Sequence, residues 1–204
     1  MSEYQFTQDW FHWAPKVWEQ LIPMLPANPK AMEIGSFEGR SMVWIIENML
    51  GEKGELVCID TWEGGEEHGD QVMSEVEKRF EHNRALAMSK KGWDVLDHYG
   101  PKAVGKVKGT SVDALTSFLL DEYDFDFIYI DGSHTAPDVL TDACMAWPLL
   151  KAGGIMVFDD YVWGEARDVL HRPKLAIDAF ANIFAERLDI VHLGEQFIVR
   201  KKDA

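Results

Sequence analysis

Short apolar runs rich in β-branched and aromatic residues, over 30–34, 55–60, 104–108, 125–131 and 153–158, alternate along this chain with helix-length amphipathic segments. That alternation constrains the fold more than any other feature, because parallel strands need crossover connections about a dozen residues long, usually helical. The spacing predicts helices over 41–49, 72–88, 112–120, 136–150 and 174–184, and a closing pair of strands near 188–193 and 196–201. The expectation is an α/β fold with a seven-stranded, mostly parallel sheet, an antiparallel edge made by the closing two-strand hairpin with its antiparallel C-terminal strand, and helices on both faces. Upstream, Trp10, Trp13, Val17 and Leu21 recur at helical spacing before Pro23, Pro26 and Pro29 stop a helix. Residues 1–29 therefore read as an N-terminal helical cap that closes the fold or covers its site.

With 204 residues, 47% of them apolar, the chain can bury one substantial core, so 1–204 is read as a single domain. Two cysteines, Cys58 in a strand-like run and Cys144 in a helix-like run, do not make a disulfide framework and are read as reduced. A formal charge of −15, from 35 acidic and 20 basic residues, repels a phosphate backbone and argues against a nucleic-acid partner. The clusters Lys90-Lys91 and Arg200-Lys201-Lys202 are short and read as solvated ends. The N-terminal MSEYQFTQDW has neither a basic nor an apolar leader pattern, and no apolar run approaches the ~18 residues of a membrane span. A cytoplasmic protein without a membrane partner is expected, and homo-oligomerisation is left open.

The stretch Ala31-Met-Glu-Ile-Gly-Ser-Phe-Glu-Gly-Arg-Ser41 reads as strand, glycine-containing turn and helix start, with Ser41 as the N-cap. Gly35 and Gly39 allow a tight turn and close approach of a ligand to the backbone. The spacing is not G-x-G-x-x-G, so a pyrophosphate-bearing dinucleotide fits poorly. Glu33 points the same way, since its carboxylate suits a ligand with ammonium and sulfonium charges. Asp60 ends the run Leu-Val-Cys-Ile-Asp, where an acid can accept hydrogen bonds from a ribose diol at the carboxyl end of the second strand. The plainer alternative is two glycines in an ordinary strand-to-helix turn.

Taken together, E-I-G-S-F-E-G-R-S, I-D-T-W, K-G-T-S-V-D-A-L, I-Y-I-D-G-S-H and G-G-I-M-V-F-D-D-Y resemble class I S-adenosylmethionine (SAM)-dependent methyltransferases. The likeness is to the macrocin O-methyltransferase group (the methyltransferase 24 type) and runs from about Lys30 to the C-terminus. It implies a Rossmann-like fold, with Glu33, Gly35 and Gly39 holding the aminoacyl end of SAM, Asp60 holding the ribose and Ser111 near the adenine. Ser36, Phe37, Ser41, Thr61, Trp62 and Asp131 complete the implied cofactor set. For Ser111 a simple helix cap is the plainer reading.

Asp131, Asp159 and Asp160 end two strands expected to be neighbours, and crowded carboxylates imply a counter-cation. An all-oxygen set suits Mg²⁺, or Mn²⁺ in its place. In the resembling catechol-type and macrocin-type enzymes the matching positions bind a divalent metal, although the catechol type has Asn where this chain has Asp160. The alternative is that Asp159 and Asp160 cap the next turn. His134 lies where catechol-type enzymes carry a catalytic lysine, and is either a general base, since histidine titrates near neutrality, or a group that orients Asp131. The expected mechanism is in-line transfer of the sulfonium methyl to a metal-held substrate oxygen, with His134 or Asp131 taking the proton. His12, His68, His82, His98, His171 and His192 show no metal-ligand spacing. Long segments over 62–71, 91–103 and 162–172, with Trp62, Trp93, Tyr99, Tyr161 and Trp163 in or beside them, are candidate acceptor walls, each more simply a loop anchor. The acceptor expected is a small hydroxylated molecule, whether natural product, sugar or catechol-like. Rival readings are a nucleotide-dependent oxidoreductase, a metal-free SAM-dependent N-methyltransferase that holds an amine with these carboxylates, and a non-catalytic SAM-binding module.

Overall fold

A computed structural model describes residues 3–65, 72–93 and 103–203. His68, His98 and Tyr99 lie outside the described residues, as does much of the 62–71 and 91–103 segments. The strands are β1 (Lys30–Ile34), β2 (Glu55–Asp60), β3 (Val104–Lys108), β4 (Phe125–Ile130), β5 (Leu150–Phe158), β6 (Leu188–Leu193) and β7 (Phe197–Lys201). They form a seven-stranded sheet in the order β3-β2-β1-β4-β5-β7-β6. The helices are α1 (Ala14–Trp18), α2 (Arg40–Trp44), α3 (Met73–Lys90), α4 (Ser111–Leu120), α5 (Ala136–Leu149) and α6 (Lys174–Ile183), and they flank the sheet. Two compact units divide between Gly109 and Thr110. Among the described residues no helix is long and apolar enough to cross a membrane.

In the first unit β1 and β3 both pair in parallel with β2. Helix α3 packs through Val76, Phe80, Asn83, Arg84, Ala87 and Met88, a stripe at the three-and-four spacing of an amphipathic helix. The N-terminal cap departs from expectation. Its helix is one short turn and a half, and the buried stripe is Phe11, Ala14, Trp18 and Leu21, while Trp10 is 50% exposed. Both stripes have helical spacing. The packing chose the one that sets Phe11 and Trp44 edge-on to Trp18, with centroids 4.8 and 5.5 Å apart. Pro23 does not end a helix but sits in a 3₁₀ turn over Ile22–Met24, where a missing N–H costs nothing. The predicted 41–49 helix begins at Arg40 and changes at Ile45–Met49 to a π turn, in which Leu50 N donates to Ile45 O at 2.9 Å.

In the second unit β4 and β5 pair in parallel, and β7 runs antiparallel to both β5 and β6. The closing hairpin thus supplies the expected antiparallel C-terminal strand, with β6 on its outer side. β4 is buried at five of its six positions, as a strand covered on both faces must be. Thr110, not Ser111, caps α4: its Oγ1 accepts from Asp113 N at 3.2 Å and donates to the Asp113 carboxylate at 2.7 Å. Helix α5 contacts both α4 and α6. Trp147 and Phe158 both meet Phe180, with centroids 5.4 Å apart in each pair.

Candidate functional site

In the first unit the chain leaves β1 through residues 35–39, with positive φ at Gly35 (84°), Phe37 (46°) and Gly39 (76°). Phe37 is the unexpected member, because a side chain makes this region costly and it persists only where neighbours over-determine it. Those neighbours are identifiable. Ser36 N and Phe37 N both donate to Asp60 Oδ2 at 2.9 Å, and Trp62 Nε1 donates to Phe37 O at 2.9 Å. Trp62 N closes the arrangement by donating to Asp60 Oδ1 at 2.6 Å. Adjacent backbone amides aimed at one carboxylate oxygen form a small anion nest, and the chain fills it with its own acid. Gly39 serves packing rather than ligand approach: a Cβ there would lie 2.5 Å from Met42 Cε and 3.0 Å from Phe80 Cδ2.

Ser41 is not the N-cap of α2, because Gly39 holds that position and the Ser41 hydroxyl donates instead to Glu33 Oε1. Ser36 Oγ donates to Glu33 Oε2 at 2.7 Å. Glu33 is fully buried, so its carboxyl lies beneath the loop, where it ties Ser36 to Ser41. Burial is the main force pushing its pKa from 4.5 up to about 7, against the lowering effect of the two serine hydroxyls. The sign of the pH effect follows. Between about 4.5 and 7 the folded state holds a proton that the unfolded chain has released, so this group's stabilisation is complete below pH 4.5 and is lost as pH rises to about 7. At ~1.4 kcal/mol per pKa unit the span is on the order of 3 kcal/mol. Glu33→Gln should therefore gain stability relative to the parent as pH rises from 5 to 8. Thermal melts across that range measure the gap, and parallel curves would show that Glu33 does not titrate there.

Asp60 is half-buried. A carboxylate offers about four acceptor positions, and the amides of Ser36, Phe37 and Trp62 use three. Oδ1 keeps acceptor capacity, so the residue still fits one hydroxyl of a ribose diol. Thr61 Oγ1 accepts from Glu63 N at 3.2 Å. Trp62 and Trp93 are 3% and 6% exposed and act as loop anchors rather than acceptor walls. Trp62 packs 4.8 Å from Phe80, with Lys106 Nζ 4.4 Å from its ring.

The second unit carries the other candidates. Asp159 N donates to Ile130 O at 3.0 Å, so the ends of β4 and β5 bring Asp131, Asp159 and Asp160 into one neighbourhood. Buried Tyr129 stands between two of them, with its hydroxyl 2.9 Å from Asp131 Oδ2 and hydrogen-bonded to Asp159 Oδ2. One hydroxyl hydrogen serves one acceptor, so the second contact needs a proton on a carboxyl group. Asp159 is the natural holder, because burial, then the adjacent Asp160 charge, pushes its pKa from 3.8 up to about 7. Asp160 turns elsewhere, its Oδ2 lying 2.6 Å from His134 Nε2. It has φ 56°, and its carbonyl accepts from Trp163 N at 3.0 Å. The Trp163 and His134 rings are 4.2 Å apart and tilted by 33°, and Arg167 lies 4.5 Å from the indole.

The three aspartates thus approach one another without surrounding a common point. Asp160 is engaged by His134, and Asp131 and Asp159 share Tyr129. Among the described residues no group of three His, Cys, Asp or Glu is placed to hold a metal ion. The side chains present do not fit the divalent ion expected from the sequence. Ser111 sits in the first turn of α4 and hydrogen-bonds to Asp142, whose pKa burial pushes from 3.8 up to about 6. Tyr129 was hidden in the apolar run Phe-Ile-Tyr-Ile, although its place two residues before Asp131 puts both on one side of the strand.

The family model described as a methyltransferase domain matches residues 32–161. No curated protein matches the chain in sequence. Among solved structures, a protein from Corynebacterium glutamicum aligns with a TM-score of 0.64 at 20% identity, over 94% of this chain and 81% of that one. The O-methyltransferase from Bacillus cereus, in complex with SAH, aligns with a TM-score of 0.62 at 18% identity, over 99% and 84% of the two chains. The O-methyltransferase TomG from Streptomyces achromogenes, involved in tomaymycin synthesis and in complex with SAM, aligns with a TM-score of 0.62 at 19% identity, over 93% and 80%. At these identities the likeness speaks for the fold alone.

Proposed function

Since the chain belongs to the methyltransferase domain family, we propose that it is a SAM-dependent methyltransferase acting on an oxygen of a small hydroxylated molecule, with both units serving as one methyltransferase domain. The observation that carries the reading is Asp60 at the end of β2, gripping the amides of the loop after β1 while keeping acceptor capacity on Oδ1. A carboxylate so held is preorganised for a diol, because its orientation is settled before the ligand arrives. Structural neighbours that carry SAH or SAM support the choice of cofactor. Glu33, Gly35, Ser36, Phe37, Gly39, Ser41, Thr61 and Trp62 shape the loop that borders the cofactor.

When bound, SAM supplies a methyl group on a positively charged sulfur. The residues of this chain must then orient an acceptor hydroxyl and take its proton. The His134–Asp160 pair is suited to that task, since it shares a hydrogen bond at 2.6 Å and its side chains retain 20% and 28% exposure. Trp163 steadies the imidazole by lying against its face. Metal assistance at Asp131, Asp159 and Asp160 is not part of the proposal, because those carboxylates are turned towards Tyr129 and His134. The test is calorimetric titration with SAM and SAH, followed by a methyl-transfer screen of hydroxylated compounds with and without a chelator. SAM binding and chelator-resistant transfer are expected. Binding of NAD without SAM would sink the reading, and loss of transfer on chelation would restore the metal-assisted form.

A further inference from the structure

We infer that residues 3–13 form a clasp on the cofactor loop, fastened at Glu38, and that Glu38 is a positioning residue for the cofactor rather than one of its contacts. The inference rests on the SAM-dependent reading above. Glu38 lies in the loop between Phe37 and Gly39 and is 1% exposed. Its carboxylate faces the N-terminal segment: Oε2 accepts from Thr7 N at 2.6 Å and Oε1 from Thr7 Oγ1 at 2.8 Å. Arg79 of α3 supplies the counter-charge, with Nε 2.5 Å from Oε1. Asn83, fully buried on the same helix, donates to Glu38 O at 2.8 Å. It also pairs with the Gln5 backbone in both directions, at 2.7 and 2.8 Å. A buried carboxylate and a buried amide therefore hold three things together, namely the loop, α3 and the N-terminal segment.

Further contacts join the segment to the loop and to the start of α2. The Trp10 ring lies 5.1 Å from that of Phe37, the residue held at positive φ. Arg40 Nε donates to Gln8 O at 3.0 Å, and its guanidinium lies 4.3 Å from the Phe6 ring. Beneath the segment is a cleft of about 210 Å³ lined by Tyr4, Phe6, Phe11, Arg40, Val43 and Trp44. Residues 3–10 are exposed or half-buried throughout. Residues 3–10 are thus held by polar fastenings and by ring contacts at Tyr4, Phe6 and Trp10, with buried Phe11 anchoring the segment behind them. Elements of that kind open locally at a cost set by those fastenings. When the clasp opens, Phe37 loses the ring against it and Glu38 loses Thr7, so the loop that carries the Ser36 and Phe37 amides is freer to relax. Closed, the clasp slows cofactor exchange; open, it permits it.

The test uses the full chain with Thr7→Val, which removes one hydroxyl donor and keeps the backbone, and separately Trp10→Ala. Surface plasmon resonance with SAH as the probe should show dissociation accelerated by about tenfold in Thr7→Val, the effect of one hydrogen bond to a charged acceptor. Hydrogen exchange of the Ser36 and Phe37 amides should rise in both variants without ligand, while exchange in β5 stays unchanged. A general loss of stability would raise both. SAH dissociation and loop exchange equal to those of the parent in both variants would overturn the clasp and leave the methyltransferase reading standing. A parent protein that binds neither SAM nor SAH overturns both.

Discussion

Asp60→Ala is expected to abolish measurable SAM and SAH binding in calorimetric titration and to lower the melting temperature. The carboxylate accepts from three backbone amides, Ser36, Phe37 and Trp62, two of them on residues that are 2–3% exposed. Removing the acceptor leaves these donors without their partner, at about 1–3 kcal/mol for each that water cannot reach. The loop would then lose the grip that holds Phe37 at φ 46°, so a ligand would have to order it on binding. Asp60→Asn should fall between the two, because one amide oxygen can still serve Ser36 and Phe37 while the NH₂ group meets the Trp62 amide as a second donor. Unchanged SAM affinity in Asp60→Ala would remove this residue from the site.

His134→Ala should lower turnover by about 10²-fold or more while SAM affinity, which the proposal assigns to Asp60 and the loop after β1, stays near that of the parent. Asp160→Asn should act in the same direction, since the imidazole would lose the carboxylate that fixes its Nε2 edge. The informative comparison is the double variant. If the two side chains act as one device, His134→Ala with Asp160→Asn costs little more than the worse single change. Full additivity of the losses, or a His134→Ala enzyme with undiminished turnover, would show that the acceptor proton goes elsewhere.

The sequence by itself determined the strands and their order of appearance. Lys30–Ile34, Glu55–Asp60, Val104–Lys108 and Leu188–Leu193 begin and end where the apolar pattern says they should. Such runs are bounded by turn residues and need no distant partner to be recognised. Asp60 was legible for the same reason, as an acid terminating an apolar run. What the pattern could not supply was direction. Three aspartates at strand ends predict crowded charge, but whether they face one ion or three separate partners depends on side-chain rotamers. The structure turns two to Tyr129 and one to His134. Glu33 was legible as an acid beside the loop, while its enclosure by Ser36 and Ser41 required the loop to fold back over it. The N-terminal stripe was displaced by one residue because two sets of aromatic and aliphatic side chains share helical spacing, and contact with Trp44 chose between them. Likewise the closing hairpin was legible, but which of its two strands pairs with β5 was not: β7 lies between β5 and β6, because the pairing order of strands is set by hydrogen bonds between segments far apart in sequence, to which local periodicity is blind.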